Sequence, residues 1–377
     1  MITMKTLILT CNTGQGHNST AASIREVFEF NHTQCDIADA LSFLSPQASK
    51  LITTVHSGIF SLVPKVFDMG YSTSKDSNKI NPAEYLTKAI SFGAKKLSNF
   101  IIENEYDHVI CVHLFAGVLV TNMRQKYRTN VTFSFLPTDY TAYPLVEKTM
   151  ADLYFMPHEA LSDLYVQKGV DKKKLIPTGI PIRRAFIAAR TKAEARKLLN
   201  ISEDEKVILM MCGSLGCGPI KDIAISILEK APQNTRLLVA CGVNKKLLKS
   251  LQKLNCNRIT AFSYSDNVPQ LMAAADVFVT KPGGISITEA SRVGLPMVLI
   301  NLIGACETPN FEFFTTHDYA VGCKHPSEIA DKCKELLDSP EKLEELSNRI
   351  KANFSKNSTQ IIYDHVSELV KNGKMLR

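Results

Sequence analysis

Apolar residues along this chain fall into two alternating patterns. Short continuous runs such as Thr6-Leu7-Ile8-Leu9 and Val207-Ile208-Leu209-Met210-Met211 end in glycine or polar turns, and the segments between them space their apolar residues at helical intervals. The first pattern suits a strand covered on both faces, the second an amphipathic helix. Strands are expected near residues 5–10, 33–37, 107–112, 131–136 and 152–156, and again near 206–211, 235–240, 258–261, 276–280 and 296–301. Such alternation predicts the α/β class with parallel sheets, and each set suffices for its own doubly wound sheet. Gly179 and Pro181 interrupt the pattern ahead of a charged helix, Lys192 to Leu199, which puts the domain boundary around residue 188. The expected domains are therefore residues 1–188 and 189–355. A closing segment, 356–377, carries a helix over about Thr359 to Val370 that is expected to cross back onto the first domain.

Three strand ends run into glycine turns and then into helices. Thr280-Lys281-Pro282-Gly283-Gly284-Ile285-Ser286-Ile287-Thr288-Glu289 places a glycine pair before a helix. Adjacent glycines let backbone approach anionic oxygens, and the first N–H groups of the helix, from Gly284, Ile285 and Ser286, favour negative charge. Glu289, about one turn on, is positioned to accept hydrogen bonds from a ribose. The strand 206–211 empties into Cys212-Gly213-Ser214-Leu215-Gly216-Cys217-Gly218-Pro219, with Pro219 opening the next helix. The first strand leads into Cys11-Asn12-Thr13-Gly14-Gln15-Gly16-His17-Asn18-Ser19, where Ser19 is expected to cap a helix from Thr20 to Phe30. Open α/β sheets bind ligands at such strand ends, so the pattern favours a nucleotide diphosphate over ordinary turns.

Composition narrows the class. With 377 residues, 45% hydrophobic and 21% charged, the chain is expected to be a soluble protein of about two domains. No apolar run approaches the ~20 residues that span a bilayer, and Met1 to Thr10 reads as a first strand rather than a signal segment. The ten cysteines are dispersed, without a CxxC pair or zinc spacing, which predicts reduced thiols in a cytoplasmic protein and no metal site. A net charge of +7 suits an anionic partner or surface. Nucleic acid is disfavoured, because basic residues do not cluster with aromatics and no reader motif is present.

The segments Leu9-Thr10-Cys11-Asn12-Thr13-Gly14-Gln15-Gly16-His17, Pro137-Thr138-Asp139-Tyr140-Thr141-Ala142-Tyr143-Pro144, Lys281-Pro282-Gly283-Gly284 and Cys306-Glu307-Thr308-Pro309-Asn310 occur in an informative order. Together they resemble the monogalactosyldiacylglycerol synthase and processive diacylglycerol glucosyltransferase family, in glycosyltransferase family 28. The resemblance implies a GT-B fold, with two Rossmann-like domains facing each other across a cleft. It also implies a UDP-sugar donor, a lipid acceptor such as diacylglycerol, inversion at the anomeric carbon and chemistry without a metal ion or other cofactor. By the same resemblance Gly283 and Gly284 match the diphosphate turn, Glu289 the ribose ligand, Glu307 and Asn310 the polar pair reaching donor sugar or phosphate, and Gly213 and Ser214 the opposite lip. His17 matches the histidine that closes the first glycine loop, beside Gly16. The chain departs from the family where Gln15 separates two glycines, where Tyr143 stands in a place often taken by histidine, and where Ile303-Gly304-Ala305 leads into Cys306.

Glycosyl transfer needs a base for the acceptor hydroxyl and stabilisation of the leaving diphosphate. The glycine turns meet the second need. For the first, His17 is the leading candidate because imidazole titrates near neutrality, and Asp139 follows as base or as the group orienting His17. Each also has a structural reading, as a loop-ordering histidine and a turn cap. His113, at a strand end, reads as a core histidine, and Cys11, Cys212 and Cys217 read as small packing residues rather than nucleophiles. On the acceptor side, 51–71 carries Ile59, Phe60, Leu62, Val63, Val66, Phe67 and Tyr71 with Lys65, next to Lys50, which suits an anionic membrane surface as well as ordinary amphipathic packing. The helix from Pro82, with Leu86, Ile90, Gly93, Leu97 and Ile101 on one face, reads as core packing. The expected enzyme is a hexosyltransferase using UDP-glucose or UDP-galactose at the inner face of the cell membrane. The alternatives are a UDP-N-acetylglucosamine transferase to another lipid-linked acceptor, a UDP-sugar epimerase, and a non-catalytic nucleotide-sugar sensor.

Overall fold

The structure, a computed structural model, describes residues 4–11, 15–44, 92–127, 129–213, 218–301 and 307–375. Ser214, Cys217, the stretch 51–71, the start of the helix from Pro82 and the lead 303–306 lie outside the described residues. Contacts divide the chain into two units, Met1–Arg183 with Lys356–Arg377, and Arg184–Ser355.

In the first unit the strands are β1 (Lys5–Thr10), β2 (Gln34–Asp39), β3 (His108–Cys111), β4 (Thr132–Phe135), β5 (Leu153–Met156) and β6 (Leu175–Pro177). They form one parallel sheet in the order β2-β1-β3-β4-β5-β6. Leu7, Ile8, Leu9, Val109 and Ile110 are fully buried, so the continuous apolar runs have the expected cause: both sheet faces are covered. The covering helices include α1 (Gln15–Phe30), α2 (Ala94–Glu103) and α3 (Leu114–Tyr127). Leu97 and Ile101 of α2 face inward, and a side chain at Gly93 would meet Leu44 Cδ2 at 2.8 Å, which fits the packing role expected of this face.

Helix α1 begins at Gln15, earlier than the expected Thr20, and Ser19 is not its cap: the Ser19 carbonyl accepts a hydrogen bond from Ser23 Oγ inside the helix. The first turn carries Gly16, His17 and Asn18 in place of core residues, so it lacks the apolar spacing that marks a helix in sequence. The C-terminal helix, Ser358–Met375, packs on α1 within this same unit. Ile362, Val366 and Val370 join Phe28 and Ile24 in one core, and Tyr363 meets Phe28 edge-on at 5.1 Å. Burying each aliphatic side chain there contributes about 1.5–3 kcal/mol.

The second unit repeats the scheme with β7 (Lys206–Met211), β8 (Thr235–Ala240), β9 (Ile259–Phe262), β10 (Val277–Thr280), β11 (Met297–Ile300) and β12 (Val321–Cys323). The order β12-β11-β10-β7-β8-β9 is again wholly parallel. Its helices include α4 (Lys192–Leu198), α5 (Ile220–Lys230), α6 (Gly284–Val293), α7 (Thr308–Thr316), α8 (Ile329–Leu337) and α9 (Pro340–Asn353). Asp276, 9% exposed, clamps the base of this sheet by accepting from Arg196 Nη2 at 2.9 Å and from the Val207 N–H at 2.6 Å, and it also pairs with Lys192. In each unit the first strand lies between its sequence successor and a strand reached by crossover, β1 between β2 and β3, β7 between β8 and β10. This reversal of winding opens a crevice at the strands' carboxyl ends.

Candidate active site

At the reversal point of the second unit, the carboxyl ends of β7 and β10 bring two glycines to one lysine. Gly213 has φ +79°, a left-handed conformation that glycine takes without strain, and a Cβ there would lie 2.5 Å from Lys281 Cε. A Cβ on Gly283 would lie 3.2 Å from Lys281 Nζ and 3.5 Å from Glu307 Oε1. Lys281 thus runs between the two turns and forms an ion pair with Glu307, which is 9% exposed at the start of α7. Thr280 Oγ1 donates to the Met211 carbonyl at 2.7 Å, tying the two strand ends together.

Gly283 is the N-cap of α6, and no side chain caps that helix among the described residues. The N–H groups of Gly284, Ile285 and Ser286 therefore lead the positive end of the helix dipole without a side-chain acceptor at the cap. Asn310 is fully buried, and its Nδ2 donates to the Pro282 carbonyl at 2.9 Å, holding the Lys-Pro-Gly-Gly turn from beneath. Glu289 sits in the second turn of α6 and is 6% exposed.

A different kind of site occupies the reversal point of the first unit. His17, in the first turn of α1, places Nδ1 3.0 Å from the Val112 carbonyl beyond β3, and 3.1 Å from Thr138 Oγ1 beyond β4. A carbonyl only accepts, so Nδ1 carries the proton and Nε2 keeps the lone pair. His113 packs edge-on against His17 with ring centroids 4.7 Å apart, and its own Nδ1 accepts the Phe115 N–H at 3.1 Å. Burial holds His17 below the ordinary imidazole range, against the opposing pull of the Asp139 charge and of the Val112 carbonyl. The result is an imidazole neutral at physiological pH, the state a base requires. Asp139 is half-buried and accepts a hydrogen bond from the Tyr143 hydroxyl. Gly16, one residue before His17, lies half-buried in the same helical turn.

Other reactive groups are accounted for by packing. Cys11 is fully buried, and desolvation, reinforced by Asp39 and Cys111, pushes its thiol well above the usual range. Cys212 is 1% exposed. His108 bridges Thr132 Oγ1 at 2.8 Å and Ser134 Oγ at 3.0 Å, and burial lowers it to about 3, so it is a neutral strut within the sheet. Among the described residues no group of three or more His, Cys, Asp or Glu is arranged to hold a metal ion, and no helix is long and apolar enough to cross a membrane.

Sequence reasoning brings together Gly213, Gly283 and Glu307 on one side, and His17 and Asp139 on the other. It does not single out Lys281 or Thr138; its reading of His113 as a buried histidine holds, and that ring also forms one wall of the His17 site. Lys281 carries a visible signal, as the residue directly after a buried strand, with only Pro282 between it and the glycine pair.

Comparison with known proteins accords with this geometry. The monogalactosyldiacylglycerol (MGDG) synthase family matches residues 17–182, and the glycosyltransferase family 28 C-terminal domain matches residues 207–362. The processive diacylglycerol beta-glucosyltransferase of Bacillus licheniformis is 26% identical, over 98% of this chain and 96% of its own. Among solved structures, Acinetobacter baumannii MurG superposes with a TM-score of 0.64 at 15% identity, covering 98% of this chain and 99% of its own. Anabaena HepE, in complex with UDP and glucose, gives 0.57 at 15% identity over 98% and 99%. These likenesses establish the GT-B fold, two Rossmann-like domains in one chain. With its two halves matched in order by the two domain families, the chain belongs to the monogalactosyldiacylglycerol synthase and processive diacylglycerol glucosyltransferase family and is a glycosyltransferase.

Proposed function

We propose that this protein moves a hexose from UDP-glucose or UDP-galactose to diacylglycerol or a glycosyldiacylglycerol, at the inner surface of the cell membrane, with inversion and without a metal ion in the chemistry. The observation that carries the reading is the turn at β7 and β10, where Gly213, Lys281, Gly283 and the leading N–H groups of α6 converge. Such a cradle suits a diphosphate, and relatives named for diacylglycerol glucosyl transfer support the lipid acceptor.

The acceptor hydroxyl attacks the anomeric carbon as His17 Nε2 takes its proton. The bond from that carbon to the diphosphate oxygen breaks, its electron pair leaves with UDP, and a single displacement inverts the centre. Lys281 and the N–H groups of Gly284, Ile285 and Ser286 stabilise the growing diphosphate charge, the work otherwise given to a metal. Glu289 accepts from the ribose, and Glu307 holds Lys281 until the donor enters. Asp139 faces the imidazolium that forms and steadies it.

The test is His17→Ala, followed by both UDP binding and lipid-product formation. Turnover falls at least about 100-fold with UDP affinity kept. Unchanged turnover removes His17 as the base.

A further inference from the structure

The second unit also holds a cavity of about 640 Å³ at the other end of its sheet. Lys206 opens β7 there, and Asp276 directly precedes β10. The glycine turns lie at the opposite ends of these strands, about 20 Å away for a six-residue strand, so the cavity is separate from the donor-type site.

Its walls are unbalanced in charge. Asp276 is already engaged by Arg196, Lys192 and the Val207 N–H. Against the one remaining carboxylate, Glu344, stand Arg190, Lys206, Arg292 and Lys351, none of which forms an ion pair among the described residues. Arg292 Nε is sealed from solvent and has no hydrogen-bond partner among the described residues. The C-terminal dipole of α6 favours cations at Arg292 and at Lys351, which lies across Gly294. The dipole has no bearing, however, on Lys206 at the start of a strand. A cavity lined by an excess of one sign of charge suits a ligand of the opposite sign.

We infer that this cavity is a second binding site, for a small dissolved phosphate ester whose phosphate meets Arg292, Lys351 and Lys206 and whose uncharged part rests on Phe186 and Leu343. Guanidinium and ammonium groups that line one cavity from a strand start and two helices suit a tetrahedral anion, and the volume suits a small organic phosphate. Arg292 and Lys206 are half-buried in the cavity wall, so a ligand that reaches both enters the cavity, which a flat bilayer surface does not do.

The test is calorimetric titration of the full chain with glycerol 3-phosphate and, separately, inorganic phosphate. Four proteins are compared: wild type, R292Q/K351Q, the glycine-turn variant K281Q, and K245Q/K246Q, which loses the same charge from a helix that does not line the cavity. Loss of charge-assisted hydrogen bonds weakens R292Q/K351Q at least about tenfold, with K281Q and K245Q/K246Q within about twofold of wild type. Absence of wild-type binding overturns the inference, as does equal weakening in K245Q/K246Q or a loss confined to K281Q. If R292Q/K351Q fails to fold by circular dichroism, Lys206→Gln takes its place under the same criteria.

Discussion

On the proposed function, the two units use the same sheet reversal for opposite purposes. In the second unit the crevice is made of backbone: glycines where side chains would obstruct, a helix start without a side-chain cap, and one lysine laid between the turns. In the first unit the crevice centres on side chains, with His17 held by the Val112 carbonyl and the Thr138 hydroxyl, walled by His113 and near the Asp139–Tyr143 pair. Stabilising a developing anion needs fixed dipoles and positive charge, which backbone provides cheaply. Moving a proton needs one group with a tuned affinity, which only a side chain in a specific environment provides. Doubly wound topology thus offers a location, and the residues at the strand ends decide between charge stabilisation and proton transfer.

This division can be broken from either side. After His17→Ala, the largest effect is expected from Lys281→Gln, which keeps a donor toward Glu307 but removes the charge. Turnover falls about 100-fold and UDP affinity about tenfold, read by product formation and calorimetry; an unchanged UDP affinity would remove Lys281 from the diphosphate site.

A smaller effect, with a definite sign in pH, is expected from Asp139→Asn. A base works when deprotonated, so activity rises with pH through the value of His17, which burial already holds below the ordinary 6.5. The Asp139 charge raises that value, so its removal moves the acid limb of the kcat/KM profile to lower pH and weakens the base, lowering the plateau about tenfold. An acid limb that stays in place or moves up would show that Asp139 does not act through His17.

The smallest effect separates strain from obstruction. Gly213→Ala and Gly169→Ala both put a side chain at positive φ, +79° and +88°, and each costs about 1 kcal/mol of stability. Only the first displaces Lys281, because nothing lies within 4 Å of a Cβ on Gly169. UDP affinity should therefore fall about fivefold in Gly213→Ala and stay unchanged in Gly169→Ala. Equal affinities in the two variants would mean that the Lys281 position is immaterial.

What the sequence revealed follows the same division. Strands buried on both faces advertise themselves as apolar runs, so β1, β7 and β8 fall at residues 5–10, 206–211 and 235–240 as expected. The outer strands β6 and β12 have three residues each, and Pro177 in one and Gly322 in the other give no strand signal, so both were missed. Glycine turns are legible because their chemistry is local. The surroundings of His17 are not, because Val112 and Thr138 reach it across 95 and 121 residues of sequence. Asn310 carries a role that the motif does not show: its amide holds the Pro282 carbonyl, which only the folded turn reveals.

The most direct test of the central claim, that one half cradles a UDP-sugar while the other activates a lipid hydroxyl, is product analysis. Purified protein is given diacylglycerol in anionic vesicles with UDP-glucose, UDP-galactose or UDP-N-acetylglucosamine supplied separately, and products are identified by mass. A glycosyldiacylglycerol from UDP-glucose or UDP-galactose is the predicted result. UDP binding with no lipid product from any donor would contradict the diacylglycerol assignment.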